Sequence, residues 1–172
     1  MNWYMLSLTG KDQPGIVARV TTVLFEAGCH LGETSMMRLG GNFSMMLMLR
    51  SEKQQSEIEQ ELTLVATDMG LHVHLDVIEG SLHQHLIPDV RVTVHGADRA
   101  GIVSRVTTSL AEAGLNILDL ESDVIGTEEE PVYIMIIEGQ ACNGLEAIEA
   151  TQAALESDNI DVHVEPVETL IG

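Results

Sequence analysis

The chain has 172 residues, with 8 Lys and Arg against 27 Asp and Glu, a formal net charge of −19. That balance excludes an ordinary nucleic-acid surface, which needs clustered Lys and Arg to release phosphate counterions, and it opposes docking on anionic membrane. With 45% hydrophobic residues and a length that buries roughly 70% of the unfolded surface, a folded core is expected.

Read in chain order, residues 3–9 alternate and form a first strand. Pro14 then suits a first helical position, and Ile16, Val17, Val20, Val23 and Leu24 make one apolar stripe ending at Gly28. Strands follow over residues 30–39 and 43–50, joined by Gly40-Gly41, a two-residue hairpin signal. Ser51 with Gln54 reads as a capping box for a second helix that carries Ile58, Leu62, Val65 and Met69 and stops at Gly70. Residues 71–78 complete a βαββαβ order.

The order then repeats. Gly10 to Gly28 aligns without gaps on Gly96 to Gly114 at an offset of 86 residues, half the chain, and 13 of the 19 positions are identical. In the second copy the strand is expected over 89–94, the helix over 101–113 and the hairpin strands over 116–125 and 132–138, with an acidic loop, 126–131, in place of the glycine pair. Asn143 with Glu146 reads as the cap of the last helix, which carries Leu145, Ile148, Gln152 and Leu155, before a strand over 160–165. The expected domains are 1–79 and 89–172, with residues 80–88 (GSLHQHLIP) as a linker. The fold class is α+β: two tandem ferredoxin-like units, each an antiparallel sheet covered by helices on one face.

The loop between the first strand and helix of each copy can do chemistry. Unpaired backbone N–H groups at the positive end of a helix dipole capture a carboxylate, and Gly15 and Gly101 leave room for one. Asp12 and Asp98 stand just before, able to cap the helix or to accept hydrogen bonds from an ammonium group. An α-amino acid carries both charges. The plain alternatives are that the aspartates only cap and the glycines only allow close packing.

Other features point less sharply. Cys29 and Cys142 have neither metal nor disulfide spacing, and Cys29 is expected in the core. The pairs His72/His74 and His83/His85 lack completing ligands, so no metal and no cofactor is expected. Nothing pairs a nucleophile with a base, and an enzyme is not expected. Met36, Met37, Met45, Met46 and Met48 populate the first hairpin, as core filling or as an adaptable surface. Trp3, Tyr4, Phe25, Phe43 and Tyr133 form no matched pair for stacking RNA bases. With no signal peptide and no apolar run near 20 residues, the expectation is a cytoplasmic protein.

The charge is lopsided: residues 1–86 hold 10 acidic and 5 basic side chains, residues 87–172 hold 17 and 3. The excess gathers in the second hairpin, at Asp119, Glu121, Asp123, Glu128, Glu129 and Glu130. These either solubilise the chain or form a docking face for a basic partner protein.

The phrase Gly10, Asp12, Pro14-Gly15-Ile16-Val17, then Ala27-Gly28-Cys29-His30-Leu31 and Arg38-Leu39-Gly40-Gly41-Asn42-Phe43, resembles the ACT domain of the glycine cleavage system transcriptional repressor family. Gly96, Asp98, Gly101-Ile102-Val103, Ala113-Gly114 and Asn116-Ile117 repeat the signature, with Ala100 in the place of proline. The resemblance implies small-ligand binding, often of amino acids, between paired domains, with ligand-binding residues Asp12, Pro14, Gly15, Ile16, His30 and Leu31 in copy one. In copy two they are Asp98, Gly101, Ile102, Asn116 and Ile117. It further implies glycine as ligand, a DNA-binding activator protein as partner, homo-oligomers through ACT pairing, and repression exerted without touching DNA. The alternative is a structural pairing module that senses nothing.

Overall fold

The computed structural model describes residues 1–79, 86–97, 101–127, 131–156 and 160–167. Of the expected site residues, Asp98, Glu128, Glu129 and Glu130 lie outside this set, as do His83 and His85. The chain divides into two compact units, Met1–His83 and Gln84–Gly172.

The first unit runs β1 (Asn2–Lys11), α1 (Ile16–Glu26), β2 (His30–Leu39), β3 (Asn42–Ser51), α2 (Gln55–Met69) and β4 (Leu71–Ile78). Its strands pair antiparallel in the order β2-β3-β1-β4. Alternation fixes the faces: Tyr4, Leu6 and Leu8 of β1 are buried with Met45, Leu47 and Leu49 of β3 and Leu75 of β4. Against them pack Ile16, Val20 and Leu24 of α1 and Ile58, Leu62, Val65 and Met69 of α2. The intervening residues, among them Trp3, Met5, Ser7 and Thr9, lie on the face that the helices leave uncovered.

The second unit repeats this as β5 (Val90–Ala97), α3 (Ile102–Glu112), β6 (Leu115–Gly126), β7 (Pro131–Ala141), α4 (Leu145–Glu149), α5 (Thr151–Glu156) and β8 (Ile160–Pro166). The order is β6-β7-β5-β8. Val90, Val92 and Val94 form a second core with Met135, Ile137, Val106, Leu110, Ile148 and Leu155. The α+β class, the tandem arrangement and the antiparallel sheets follow the sequence reading.

Local details depart from it. Pro14 lies in a turn ahead of α1; the N-cap is Gly15, at φ 88°, and α1 begins at Ile16. Asp12 does not cap the helix, which has no side-chain cap at all. Ser51 is the buried last residue of β3, and the capping box sits three residues on, where the Gln54 N–H donates to Glu57 Oε2 at 2.8 Å. Asn143 caps nothing either: its amide donates to the Ala113 carbonyl, and Gly144 is the N-cap of α4. The last helix is broken in two where the Thr151 hydroxyl donates to the Ile148 carbonyl at 2.7 Å, a side-chain bond that competes with the helical ladder.

The hairpin signal has its cause in φ. Gly40 and Gly41 stand at φ 55° and 76°, the two positive values a type I′ turn demands. Gly41→Val is expected to cost about 1–2 kcal/mol, since a β-branched side chain is strained there, whereas Gly40→Asn stays within about 0.5 kcal/mol. Urea unfolding of the two variants checks the contrast.

Candidate functional site

The N-caps of α1 and α3 have the same backbone geometry. Gly15 and Gly101 are N-caps at φ 88° and 90°, neither with a side-chain hydrogen bond into its helix. A glycine is required because an L residue at this φ is strained, although a Cβ would meet nothing within 4 Å. The first-turn N–H groups of both helices thus have no side-chain cap at the N-cap position and stand at the positive end of the dipole.

The neighbouring side chains are arranged differently from the simple expectation. Ile16 and Ile102 are 2% and 6% exposed and belong to the two cores, so only their backbones are available to a ligand. Asp12 forms an ion pair with Arg38 of β2 at 2.5 Å, and its N–H donates to the Gly41 carbonyl, which ties the loop to the hairpin turn. Any ammonium group must share that carboxylate with Arg38. Gln13 braces the other side, donating to the Met69 carbonyl at 2.7 Å.

His30 and Leu31 are exposed and stand at the opposite end of the sheet. His30 is in register with Arg50, while the loop follows Lys11, which is in register with Asn42. Eight residues of β3 separate those positions, a distance of about 26 Å at roughly 3.3 Å per residue. The second unit repeats the separation, with Asn116 opposite Gln140 and Ala97 opposite Val132. Ile117 packs against the core. Within one unit the loop and the start of the second strand do not meet.

The acidic residues form a coherent surface. Asp119, Glu121 and Asp123 are in register with Glu138, Ile136 and Ile134, and all lie on the uncovered face of the second sheet. Strand β7 supplies an apolar row, with Val132 and Ile136 each 39% exposed and Ile125 of β6 beside them 48% exposed. One cation crosses the face: Arg91 donates to Glu138 Oε1 at 2.6 and 2.8 Å and approaches Glu165 at 3.5 Å. Those hydrogen bonds and the Glu138 charge raise the Arg91 pKa above its usual value. The motif was visible in the sequence; its sharing of one face with an apolar row comes from the register.

Cys29 is buried, as expected, and Cys142 is exposed. The hairpin methionines divide: Met45 and Met48 are buried, while Met36, Met37 and Met46 are exposed. His74 pairs with Asp76 at 3.0 Å. Among the described residues no three His, Cys, Asp or Glu side chains converge as a metal site, and no helix is long and apolar enough to cross a membrane.

Comparison with known proteins agrees with the fold. ACT-domain models match residues 4–76 and 90–157. The glycine cleavage system transcriptional repressor of Escherichia coli (strain K12) is 25% identical over 130 residues, covering 75% of this chain and 68% of that protein. A UPF0237 protein of Listeria innocua is 31% identical over 74 residues, 41% of this chain and 83% of its own. Among solved structures, an unknown protein from Galdieria sulphuraria superposes with a TM-score of 0.79 at 23% identity, covering 97% of this chain and 99% of its own. A putative glycine cleavage system transcriptional repressor superposes at 0.71 and 18%, covering 98% of each chain. The chain belongs to the ACT-domain family, carries two ACT domains in tandem, and is homologous to the glycine cleavage system transcriptional repressor.

Proposed function

We propose that the protein is an amino-acid-responsive regulatory adaptor that represses glycine cleavage genes by holding a DNA-binding activator protein rather than DNA. The homology to the repressor, which spans both ACT domains, is the observation that carries this reading. The net charge of −19 supports contact with a protein, because a phosphate backbone would be repelled. Glycine fits the Gly15 and Gly101 loops in charge: its carboxylate meets the first-turn N–H groups. Since His30 and Asn116 lie far from the loops of their own units, they reach such a ligand only from a second ACT copy, which makes pairing part of the site. The basic partner docks on Asp119, Glu121 and Asp123 and the apolar row beside them. Ligand shifts the population toward the arrangement that cannot hold it.

Thermal shift across the amino acids tests the sensing half: glycine is expected to raise the melting temperature, and a flat profile with a partner still captured removes that half. Gly15→Asp is expected to abolish the shift. Gly15→Ala supplies the baseline, because it carries the same backbone strain of about 1–2 kcal/mol without a like charge against the ligand. For the docking half, the triple variant Asp119→Asn, Glu121→Gln, Asp123→Asn is expected to weaken partner capture at least about 10-fold and to flatten its salt dependence. Equal capture by both proteins sinks the assignment of the face.

A second reading has its own observation. All ten residues of β2 are exposed, and β2 ends the sheet, so its backbone edge is a template for another strand. A pure pairing module would keep its oligomeric state in Gly15→Asp and give no ligand response in any variant.

A further inference from the structure

The uncovered face of the first sheet holds a cleft of about 510 Å³ at the end nearest the hairpin turn. All four strands contribute to it, so its floor is about 14 Å wide, three strand spacings, and about 7 Å long, one same-face step. Met37 and Leu39, 59% and 72% exposed, form an apolar wall at the β2 edge. Thr9, Asn42 and Ser44 supply hydrogen-bond donors across the floor, and Lys11 and His72 bring the charge and the imidazole. Among the described residues no carboxylate lines it.

Lys11 is unusual for this protein. The other cations of the first unit are engaged: Arg19 with Asp68, Arg38 with Asp12, Lys53 with Glu61, and Arg50 over the Trp3 ring at 5.7 Å. Lys11 has no such partner among the described residues, in a chain where acids outnumber bases 27 to 8. Asp12, next to it, directs its charge to Arg38.

The duplication gives an internal comparison. Ala97 stands at the position of Lys11 and Asp123 at that of Met37, and the strand position opposite His95, which corresponds to His72 opposite Thr9, is Asp161. The second copy keeps the strands while losing the lysine and the histidine and gaining two carboxylates. The sheet therefore does not need Lys11 or His72 in order to fold.

We propose that this cleft binds a short aliphatic monocarboxylate, its carboxylate on Lys11 with donors from Asn42 and His72, and its apolar body on Met37 and Leu39. Such a cavity, apolar with a few converging polar groups, is of the size small ligands occupy. The site lies on the face of the sheet opposite the helices and is independent of the amino-acid reading, which places its ligand at the Gly15 and Gly101 loops.

The test is titration of the ¹⁵N-labelled full chain with 4-methylpentanoate, followed by amide shifts. Shifts at Thr9, Lys11, Met37, Asn42 and Ser44 are expected, with 4-methylpentanamide and inorganic phosphate each binding at least 10-fold more weakly. Lys11→Gln, which keeps the stem of an exposed side chain, is expected to weaken the carboxylate at least 10-fold at an unchanged melting temperature. Equal binding of acid and amide, no loss in Lys11→Gln, or shifts confined to other residues overturns the proposal. Glycine run as a separate titration reads residues 13–17, so a silent loop with a responsive cleft refutes only the amino-acid site, and the reverse refutes only the cleft.

Discussion

Gly139→Ala is expected to cost about 3 kcal/mol, the upper end of what one inserted methyl group causes in a packed interior. A Cβ at Gly139 would stand 2.4 Å from the Asn116 carbonyl oxygen and 3.1 Å from its carbon. Those atoms are backbone of β6, which cannot swing aside as a side chain would, so the edge strand itself must move away from β7. The residue sits where the β6–β7 register slips, between Ile117 and Asp119, and its carbonyl also accepts the Asp89 N–H at 2.9 Å. Displacing β6 carries Asp119, Glu121 and Asp123 with it. Partner capture should therefore fall alongside stability, with both read at a temperature where the remainder of the second unit stays folded. A melting temperature unchanged within a degree would show that β6 yields without cost.

The same bulge shows where sequence reading stops. The Gly40-Gly41 hairpin signal placed β2, and the repeat placed β6 as its counterpart, although all ten residues of β2 are exposed and carry no buried period of two. Bulges leave no such signal. In the first unit the close approach falls on Gly32 of β2, whose Cβ would lie 3.3 Å from the Met48 carbonyl oxygen, and in the second it falls on Gly139 of β7. Neither glycine is marked by a turn or a cap in the sequence. The repeat singled out Gly15 and Gly101, but as room for a ligand or for close packing; the positive φ that requires a glycine there, with open space around a Cβ, comes from the structure. What Asp12 does was not legible, since its partner Arg38 is 26 residues away and reaches it only through the hairpin. Capping was misplaced at Ser51 and Asn143 for a related reason: short polar residues before a helix look alike, and tertiary bonds choose among them. The cleft at Lys11 was equally hidden, being assembled from four strands whose order the sequence does not state.

Leu110→Ala and Leu24→Ala are expected to cost about 3 kcal/mol each, the middle of the range for a fully buried leucine that leaves a cavity. Both are 0% exposed, and they occupy matching positions on α3 and α1, 86 residues apart. Their surroundings belong to different cores: Leu24 is in the cluster that holds Leu6, Leu47 and Ile58, and Leu110 in the one that holds Val92, Ile137 and Leu155. The direct loss therefore falls on the unit that holds the substituted residue, and amide exchange should rise first in that unit's strands. The functional consequences separate as well. Under the adaptor reading the docking face lies wholly on the second sheet, so Leu110→Ala is expected to remove partner capture at temperatures where Leu24→Ala still allows it. Under the adaptor reading, Leu24→Ala retains the partner but loses whatever share of the glycine response its own loop provides. If both substitutions abolish capture equally at matched loss of stability, the face on the second sheet is not sufficient, and the first unit must contribute directly to holding the partner.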